Sequence, residues 1–148
     1  LRTAWVYSPY GENFLKTMLR LGATREVLRV VDDQHGTPTY APDIAAGILV
    51  VARHMLDNPA PARWQGIYNF VADGQTTWAG FAEEIFKQSK ICGGLSARVE
   101  RIATADYPTR ATRPKNSCLD TTKLQSVFQH TLPDWEDGVR RCVKKLNT

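Results

Sequence analysis

The feature that most constrains the fold is a strand-like run that breaks into a polar turn and then becomes a helix, within residues 2–14. Residues 3–7 (TAWVY) are β-branched or aromatic except for one alanine, and they alternate with the period of a β-strand. Residues 8–12 (SPYGE) form a turn, and Asn13 is a favourable N-cap for the helix that follows. Open α/β sheets bind ligands beyond the carboxyl ends of their strands. The stretch therefore predicts an α/β fold with a ligand-binding loop.

The rest of the sequence alternates between helix-like and strand-like segments, which predicts a mixed α/β domain. Further strands are predicted at residues 27–31, 66–71 and 97–102. Helices are predicted from Asn13 to Gly22, at 41–56, from a cap at Thr76 or Thr77 to a turn at 91, from a cap at Thr121 or Thr122 to 128, and at 133–146. The second helix carries one apolar stripe that is expected to face the core: Ile44, Ile48, Val51 and Met55.

Length and composition are those of one globular domain with a sizeable core. The chain has 148 residues, of which 43% are hydrophobic and 23% are charged. We find no apolar run long enough to cross a membrane, and no secretory signal pattern. The three cysteines are widely spaced, which argues against a disulfide framework or a zinc site. We therefore expect buried free thiols, a cytoplasmic location and no membrane partner.

The net charge of +4 alone does not indicate a nucleic-acid-binding protein. The basic residues are scattered, and no binding motif or aromatic-interleaved basic stripe accompanies them. One concentration lies in a proline-containing loop, at Arg110, Arg113 and Lys115. This loop is either a solvated basic segment or a clamp for a diphosphate, since guanidinium groups match phosphate oxygens.

Two other groups of residues allow more than one interpretation. Trp5 is either a core tryptophan or an aromatic wall for a ring-shaped ligand beside the polar loop. Asp32, Asp33 and His35 could suggest a metal site, but neighbouring carboxylates on a turn are usually solvated and no further ligands follow at a fixed spacing. We find no pattern typical of a catalytic serine, so no catalytic residue is assigned.

Short motifs in a fixed order extend along almost the whole chain. They are RTAWVY at 2–7, GENFLKTML at 11–19, DQHGTPT at 33–39, DIA at 43–45, GIYN at 66–69, TW at 77–78, YPT at 107–109, RPKNS at 113–117 and LPDW at 132–135. In sequence and order these motifs resemble the dTDP-4-dehydrorhamnose reductases, which are extended short-chain dehydrogenases. The resemblance implies the last strands of a Rossmann-type sheet together with a small α/β substrate-binding domain.

The resemblance also implies an activity, and it marks what this chain lacks. Members of the family reduce the 4-keto group of a dTDP-linked sugar with NADPH or NADH, in the last step to dTDP-L-rhamnose. The chain resembles only their C-terminal half, and it contains neither a dinucleotide-binding glycine motif nor a Tyr-x-x-x-Lys pair. We therefore expect residues 1–148 to be a single substrate-binding portion that holds no cofactor by itself and lacks the N-terminal dinucleotide-binding part.

The resemblance assigns three substrate-binding residues. Trp5 matches the family's substrate-contacting tryptophan, and Asn13 and Arg113 lie on segments positioned to meet a nucleotide diphosphate sugar. Some family members dimerise through a magnesium site built from glutamates, but Pro42 stands where one such glutamate would align. We therefore expect no metal in this chain.

Two hypotheses about function follow. The first is the C-terminal portion of a dTDP-4-dehydrorhamnose reductase, which binds a dTDP-sugar and is inactive alone. The alternative is a non-catalytic nucleotide-sugar-binding or regulatory module built on the same fold. In both cases the first strand would leave a sheet edge exposed, which predicts a homo-oligomer formed through that edge.

Overall fold

The computed structural model describes residues 1–59, 64–107 and 111–147, and Arg110 of the basic loop lies outside these ranges. The strands are β1 (Val6–Tyr7), β2 (Val27–Val31), β3 (His35–Gly36), β4 (Thr39–Tyr40), β5 (Thr76–Thr77) and β6 (Arg98–Ile102). The helices are α1 (Phe14–Gly22), α2 (Ala41–Asp57), α3 (Trp78–Ile91), α4 (Thr122–Phe128) and α5 (Trp135–Leu146), and a 3-10 turn covers Thr104–Asp106. The prediction of a mixed α/β fold is confirmed.

In the described ranges the strands form three pairs, two of them parallel. β1 pairs with β4, and β2 pairs with β6 in a register that runs from Val27 opposite Arg98 to Val31 opposite Ile102. β3 and β5 form a short antiparallel pair. Because parallel strands must be joined by crossovers, helices lie between the paired strands in the chain. α3 packs against α1, α5, β2 and β6, and it is therefore the centre of the molecule.

Among the residues that the structure describes, two clusters of buried side chains form the core. The larger cluster surrounds α3 and includes fully buried Leu15, Ile85 and Val139. The smaller one joins α2 and α4 to the segment that precedes β5, and it contains Val51, Tyr68, Phe70, Leu124, Phe128 and Leu132. Each helix therefore buries one side against an element distant in sequence, as the α/β class requires.

Two of the predicted strands differ from the structure. The opening strand is shorter than predicted, because Trp5 has a φ of 49° and interrupts the extended backbone before β1. The predicted strand at 66–71 is reduced to one bridge, in which Arg2 N donates to Tyr68 O (2.8 Å) and Phe70 N donates to Arg2 O (2.7 Å). Tyr68 and Phe70 are nevertheless buried, so the segment belongs to the core without extending a sheet.

Helix α2 has the predicted extent, and two of the four residues of its predicted stripe face the core: Val51 is buried and Ile44 packs against the smaller cluster. The other two, Ile48 and Met55, are 43% and 42% exposed, whereas Asp43 and Gly47, which were not predicted, are buried. A Cβ on Gly47 would meet Phe70 and His130, so the missing side chain allows this face to approach them closely. No helix in the described ranges is long and apolar enough to span a membrane.

The cysteines are only partly as predicted. All three are free, but Cys92 is exposed and Cys118 is half-buried. Only Cys142 is buried, and burial raises the pKa of its thiol to about 12. Cys92 follows the last residue of α3, where the chain turns through Gly93 with a φ of 75°, and this turn leaves its side chain outside the core.

A buried carboxylate joins α2 to α5. Arg141 Nη1 and Nη2 donate to Asp43 Oδ1 (2.7 Å) and Oδ2 (2.6 Å), while its Nε donates to Asp137 (2.7 Å). These hydrogen bonds to Asp43 raise the pKa of Arg141, and the Arg141 guanidinium also lies 5.1 Å from the Tyr40 ring. Since the Asp43 side chain is only 9% exposed, Arg141 takes the place of water as the hydrogen-bond donor to its carboxylate.

We expect Asp43→Asn to lower the free energy of unfolding by about 1–3 kcal/mol, because a buried hydrogen bond between charged groups is lost. Urea denaturation measures the change. The matched control is Asp57→Asn, which breaks the exposed ion pair with Arg53 on the same helix and should cost less than about 1 kcal/mol. Equal effects of the two substitutions would contradict the role assigned to Asp43.

Candidate functional site

A cavity of about 660 Å³ opens between α1 and β2, which is a volume typical of small-molecule sites. Its floor is formed by side chains of these two elements, among them Met18 and Val30. Its rim carries the aromatic and basic residues Phe14, Arg25, Arg29, Trp78, Tyr107 and Arg113. An apolar floor with basic groups at the rim suits a ligand that has both a flat ring and negative charge.

The three arginines at the rim differ in their partners. Arg29 Nε lies 3.5 Å from Glu100 in an exposed ion pair between β2 and β6. For Arg25 and Arg113 we find no ion pair among the described residues. These two guanidinium groups are therefore the ones available to an anionic ligand.

Asn13 fixes the loop at residues 8–12 and does not line the cavity. Its Oδ1 accepts a hydrogen bond from Lys16 N (3.2 Å), which caps α1 as predicted, and its Nδ2 donates to Ser8 O (2.7 Å). Both ends of the side-chain amide are thus engaged within the protein. The structure gives Asn13 a role in shaping the loop, and direct contact with a substrate stays a prediction.

Trp5 lies one layer behind the cavity. Its ring stacks on that of Trp78, with the centroids 3.6 Å apart and the planes inclined by 10°. Its Nε1 donates to Ser117 Oγ (3.0 Å), and Ser117 Oγ donates in turn to His35 O (2.9 Å). These contacts hold Trp5 between three segments that are far apart in the sequence.

Gly36 covers the second face of Trp5. A Cβ built on Gly36 would lie 2.5 Å from Trp5 Cζ2 and 2.6 Å from Nε1, and closer still to Cε2, which lies between them. Cε2 is bonded to both Cζ2 and Nε1, and an atom at the edge of the indole would be nearer to one of those two outer atoms. The Cβ position is nearest to Cε2, so it lies above the plane of the indole and not at its edge. Trp78 occupies the other face, because its ring would otherwise overlap this position. The Trp5 indole is therefore enclosed between Gly36 and Trp78.

The acidic pair at 32–33 has structural partners. Asp32 Oδ1 accepts from Thr77 Oγ1 (2.6 Å) and from Arg101 Nη1 (3.1 Å). Asp33 Oδ1 accepts from Thr104 Oγ1 (2.5 Å) and Thr104 N (2.9 Å), and the side-chain hydrogen bond lowers the pKa of Asp33. Within the described parts of the chain, no group of three acidic, histidine or cysteine side chains could hold a metal ion.

Gln34 follows this pair and lines the cavity. It is 6% exposed, and its Nε2 donates to Thr104 Oγ1 (3.0 Å). Sequence reasoning did not assign a site role to Gln34, Trp78, Arg25 or Tyr107. The sequence did contain a signal for Trp78 and Tyr107, because both residues lie in the short motifs, TW and YPT, on which the family resemblance rests. For Arg25 we find no such signal.

Comparison with known families identifies the chain. A family model described as the RmlD substrate-binding domain matches residues 1–148. The chain belongs to that family. Among curated proteins, the dTDP-4-dehydrorhamnose reductase of Sinorhizobium fredii is 45% identical over 146 residues, which cover 99% of this chain and 49% of the relative. That of Escherichia coli K12 is 43% identical over 149 residues, with 99% and 49% covered.

Solved structures of the same reductases share the fold. A dTDP-4-dehydrorhamnose reductase from Clostridium acetobutylicum superposes with a TM-score of 0.86 at 32% identity, over 99% of this chain and 48% of that chain. The reductase from Bacillus anthracis, solved in complex with NADP, gives a TM-score of 0.78 at 33% identity over 97% and 46%. The fold class predicted from the sequence is confirmed. The chain spans about half the length of the curated relatives it matches.

We expect Gly36→Ala to displace the Trp5 ring, since the added methyl group would overlap it. Overpacking of this kind costs about 1–3 kcal/mol, which urea denaturation measures, and near-ultraviolet circular dichroism should report the changed indole environment. In a Trp5→Ala background the same substitution should cost less, because the overlapping ring is gone. An identical cost in both backgrounds would show that the Gly36–Trp5 contact is not responsible.

Proposed function

We propose that this chain provides the nucleotide-sugar-binding portion of a dTDP-4-dehydrorhamnose reductase and binds a dTDP-sugar in the cavity between α1 and β2. The observation that supports this most directly is the rim, where Arg25 and Arg113 stand beside the aromatic ring of Trp78. A nucleoside diphosphate carries one flat base and a diphosphate, so it has a complement for each of these groups. Membership of the substrate-binding-domain family supports the same ligand class.

Of the three substrate-binding residues predicted from the sequence, Arg113 is the one that lines the cavity. We assign Arg113 and Arg25 to binding of the diphosphate. Guanidinium groups bind phosphate oxygens in bidentate geometry, and no ion pair within the described residues competes for these two. Trp5 would contribute by packing against the Trp78 ring, and Asn13 would contribute by fixing the loop at residues 8–12 beside the site.

Reduction of the sugar would require a nicotinamide cofactor, which supplies the hydride. These 148 residues contain no dinucleotide-binding glycine motif and no Tyr-x-x-x-Lys pair, so they do not fit that group. We therefore assign no step of hydride or proton transfer to them. In the proposed reductase, this chain binds and orients the sugar nucleotide, while catalysis lies in a dinucleotide-binding part.

An interaction module is the second candidate function, and one observation favours it. Helix α2 exposes an apolar face in a heptad-like register, made of Ala45, Ile48, Leu49, Ala52, Met55 and Leu56. Leu49 is 71% exposed and Leu56 is 79% exposed, and Val6 of β1 is also exposed, at 46%. Contiguous exposed apolar surface of this kind marks protein interfaces. The homo-oligomer expected from the sequence would cover part of it.

We expect the chain to bind dTDP, and Arg25→Gln and Arg113→Gln should each weaken binding about tenfold or more, because each removes a charged hydrogen bond to phosphate. Calorimetric titration measures the affinities. Thymidine, which has no phosphate, should bind the wild type and both variants equally.

The control variant is Arg53→Gln, on an exposed arginine of α2 that pairs with Asp57 and does not line the cavity. The absence of any heat from dTDP and dTDP-rhamnose at about 1 mM ligand would contradict the proposed binding function. Turnover of dTDP-4-dehydrorhamnose with NADPH by this chain alone would contradict the assignment of catalysis to another part.

We expect the chain to self-associate through the exposed apolar residues of β1 and α2, and sedimentation velocity at increasing concentration measures this. Leu49→Lys and Val6→Lys should each shift the population toward monomer, because a buried unpaired charge is costly at an interface. Ile91→Lys is the matched control, since Ile91 is 70% exposed on a different helix. A wild-type monomer at all concentrations would leave the apolar face without a self-association role.

A further inference from the structure

We propose that the free edge of β6, the side that faces away from β2, binds an extended acidic segment of a partner protein. The segment adds a strand to the β2–β6 pair and inserts an apolar side chain between β6 and α3. This surface shares no lining residue with the cavity between α1 and β2. The inference therefore goes beyond the proposed binding of a dTDP-sugar and does not depend on it.

The backbone of β6 offers hydrogen-bonding groups along this edge. Within the described residues, β6 has β2 as its one neighbouring strand. Arg98 N donates to the carbonyl of residue 26 (2.8 Å) and Ile102 O accepts from the amide of residue 32 (2.9 Å), so both direct their backbone toward β2. Because successive residues of a strand bond to alternate sides, the N–H and C=O groups of Val99 and Arg101 face the free edge. An edge of this kind is a template for a further strand.

A groove of about 470 Å³ lies between β6 and the second half of α3. Its apolar wall consists of Phe86, Ile91, Ala97 and Val99, and no residue of β2 lines it, so the groove lies on the free side of β6. Ile91 is 70% exposed, and Leu95 in the following turn is 65% exposed, which extends the apolar surface. In strand addition, main-chain hydrogen bonds supply affinity and pockets for alternate side chains supply specificity. The groove is such a pocket for an apolar side chain.

The charges around the groove select an acidic partner. Each carboxylate of α3 and β6 already has a cationic partner: Glu83 with Arg101, Glu84 with Lys87, and Glu100 with Arg29. Lys90 and Arg98 are exposed, and for them we find no ion pair among the described residues. Lys90 lines the groove near the end of α3 and Arg98 begins β6, so the surplus positive charge lies at one end of the edge. Complementary charge steers and orients a binding partner.

The same charges disfavour a second copy of this chain as the occupant. In the register that pairs all five residues of two antiparallel β6 strands, Glu100 lies opposite its own counterpart. Like charges directly opposite each other destabilise a strand pair. Each copy would also bring the surplus positive charge of Lys90 and Arg98 to the interface. An acidic segment of another protein meets neither obstacle.

The test titrates the peptide acetyl-EVELEVE-amide, which alternates acidic and apolar side chains, into the isotope-labelled chain and follows binding by NMR. We expect the amides of Val99 and Arg101 to shift and to exchange more slowly with solvent, because they donate to the added strand. The lysine analogue acetyl-KVKLKVK-amide should bind at least about tenfold more weakly, since its charges repel Lys90 and Arg98.

Two further peptides test the main-chain contacts. One carries N-methyl groups on its glutamates, and the other carries them on its valines and leucine. In a strand, only one of these two sets of N–H groups faces β6. We therefore expect one methylated peptide to bind at least about tenfold more weakly than the parent peptide and the other to bind with nearly its affinity.

Substitutions in the chain locate the site. Lys90→Glu should weaken the acidic peptide about threefold or more, because it reverses a charge at the groove. The matched control is Arg53→Glu on α2, which changes the net charge equally, does not line the groove and should leave the affinity unchanged. Ala97→Leu fills the groove and should weaken binding about tenfold or more, with circular dichroism confirming that the variant is folded.

Four results would overturn the proposal. The first is no binding of acetyl-EVELEVE-amide at about 1 mM peptide, and the second is equal binding of the two methylated peptides. The third is an equal effect of Lys90→Glu and Arg53→Glu. The fourth is self-association of the chain that Ala97→Leu abolishes, which would assign the edge to a second copy. None of these results bears on the binding of dTDP, so failure of this inference and failure of the proposed function are distinguishable.

Discussion

The burial of helix α3 is the constraint on which the rest of the structure depends. Eight of its fourteen residues are buried, and three of these eight are polar. The polar ones have partners: Gln88 Nε2 donates to Glu84 Oε1 (2.6 Å), and Ser89 Oγ donates to Leu95 O (2.7 Å). Because these buried groups are hydrogen-bonded, α1, α5, β2 and β6 can enclose the helix without leaving unpaired polar atoms around it.

The same burial determines where the candidate site lies. A helix that is fixed along its length presents its first residue in a fixed position, and in α3 that residue is Trp78 at the rim of the cavity. Arg101 strengthens this arrangement by pairing with both Asp32 and Glu83, which joins β6 to the end of β2 and to α3. The aromatic wall of the site is therefore an extension of the core, whereas the guanidinium groups of Arg25 and Arg113 are exposed and free to adapt to an anion.

Local features of the sequence predicted most elements but not the long-range contacts. Asn13 caps α1 and Thr77 caps α3 as expected, because capping depends on residues within one turn. The left-handed backbone at Trp5 has no local cause: it is held by Gly36 and by Ser117, which is 112 residues away. The buried face of α2 was predicted only in part, with Ile44 and Val51 correct, and the inward position of Asp43 was missed because its partner Arg141 comes from α5.

The motifs that carried the family resemblance mainly build the geometry around the site. In the segment 33–39, Asp33 binds Thr104, Gly36 receives the Trp5 ring, and the buried Thr39 Oγ1 donates to Thr37 O and accepts from Ala72 N. Within that segment only Gln34 lines the cavity. A motif match therefore locates a site more reliably than it identifies the atoms that touch the ligand. Trp5 illustrates this, because it stacks on Trp78 and binds Ser117, whereas Trp78, in a motif of two residues, is the tryptophan that lines the cavity.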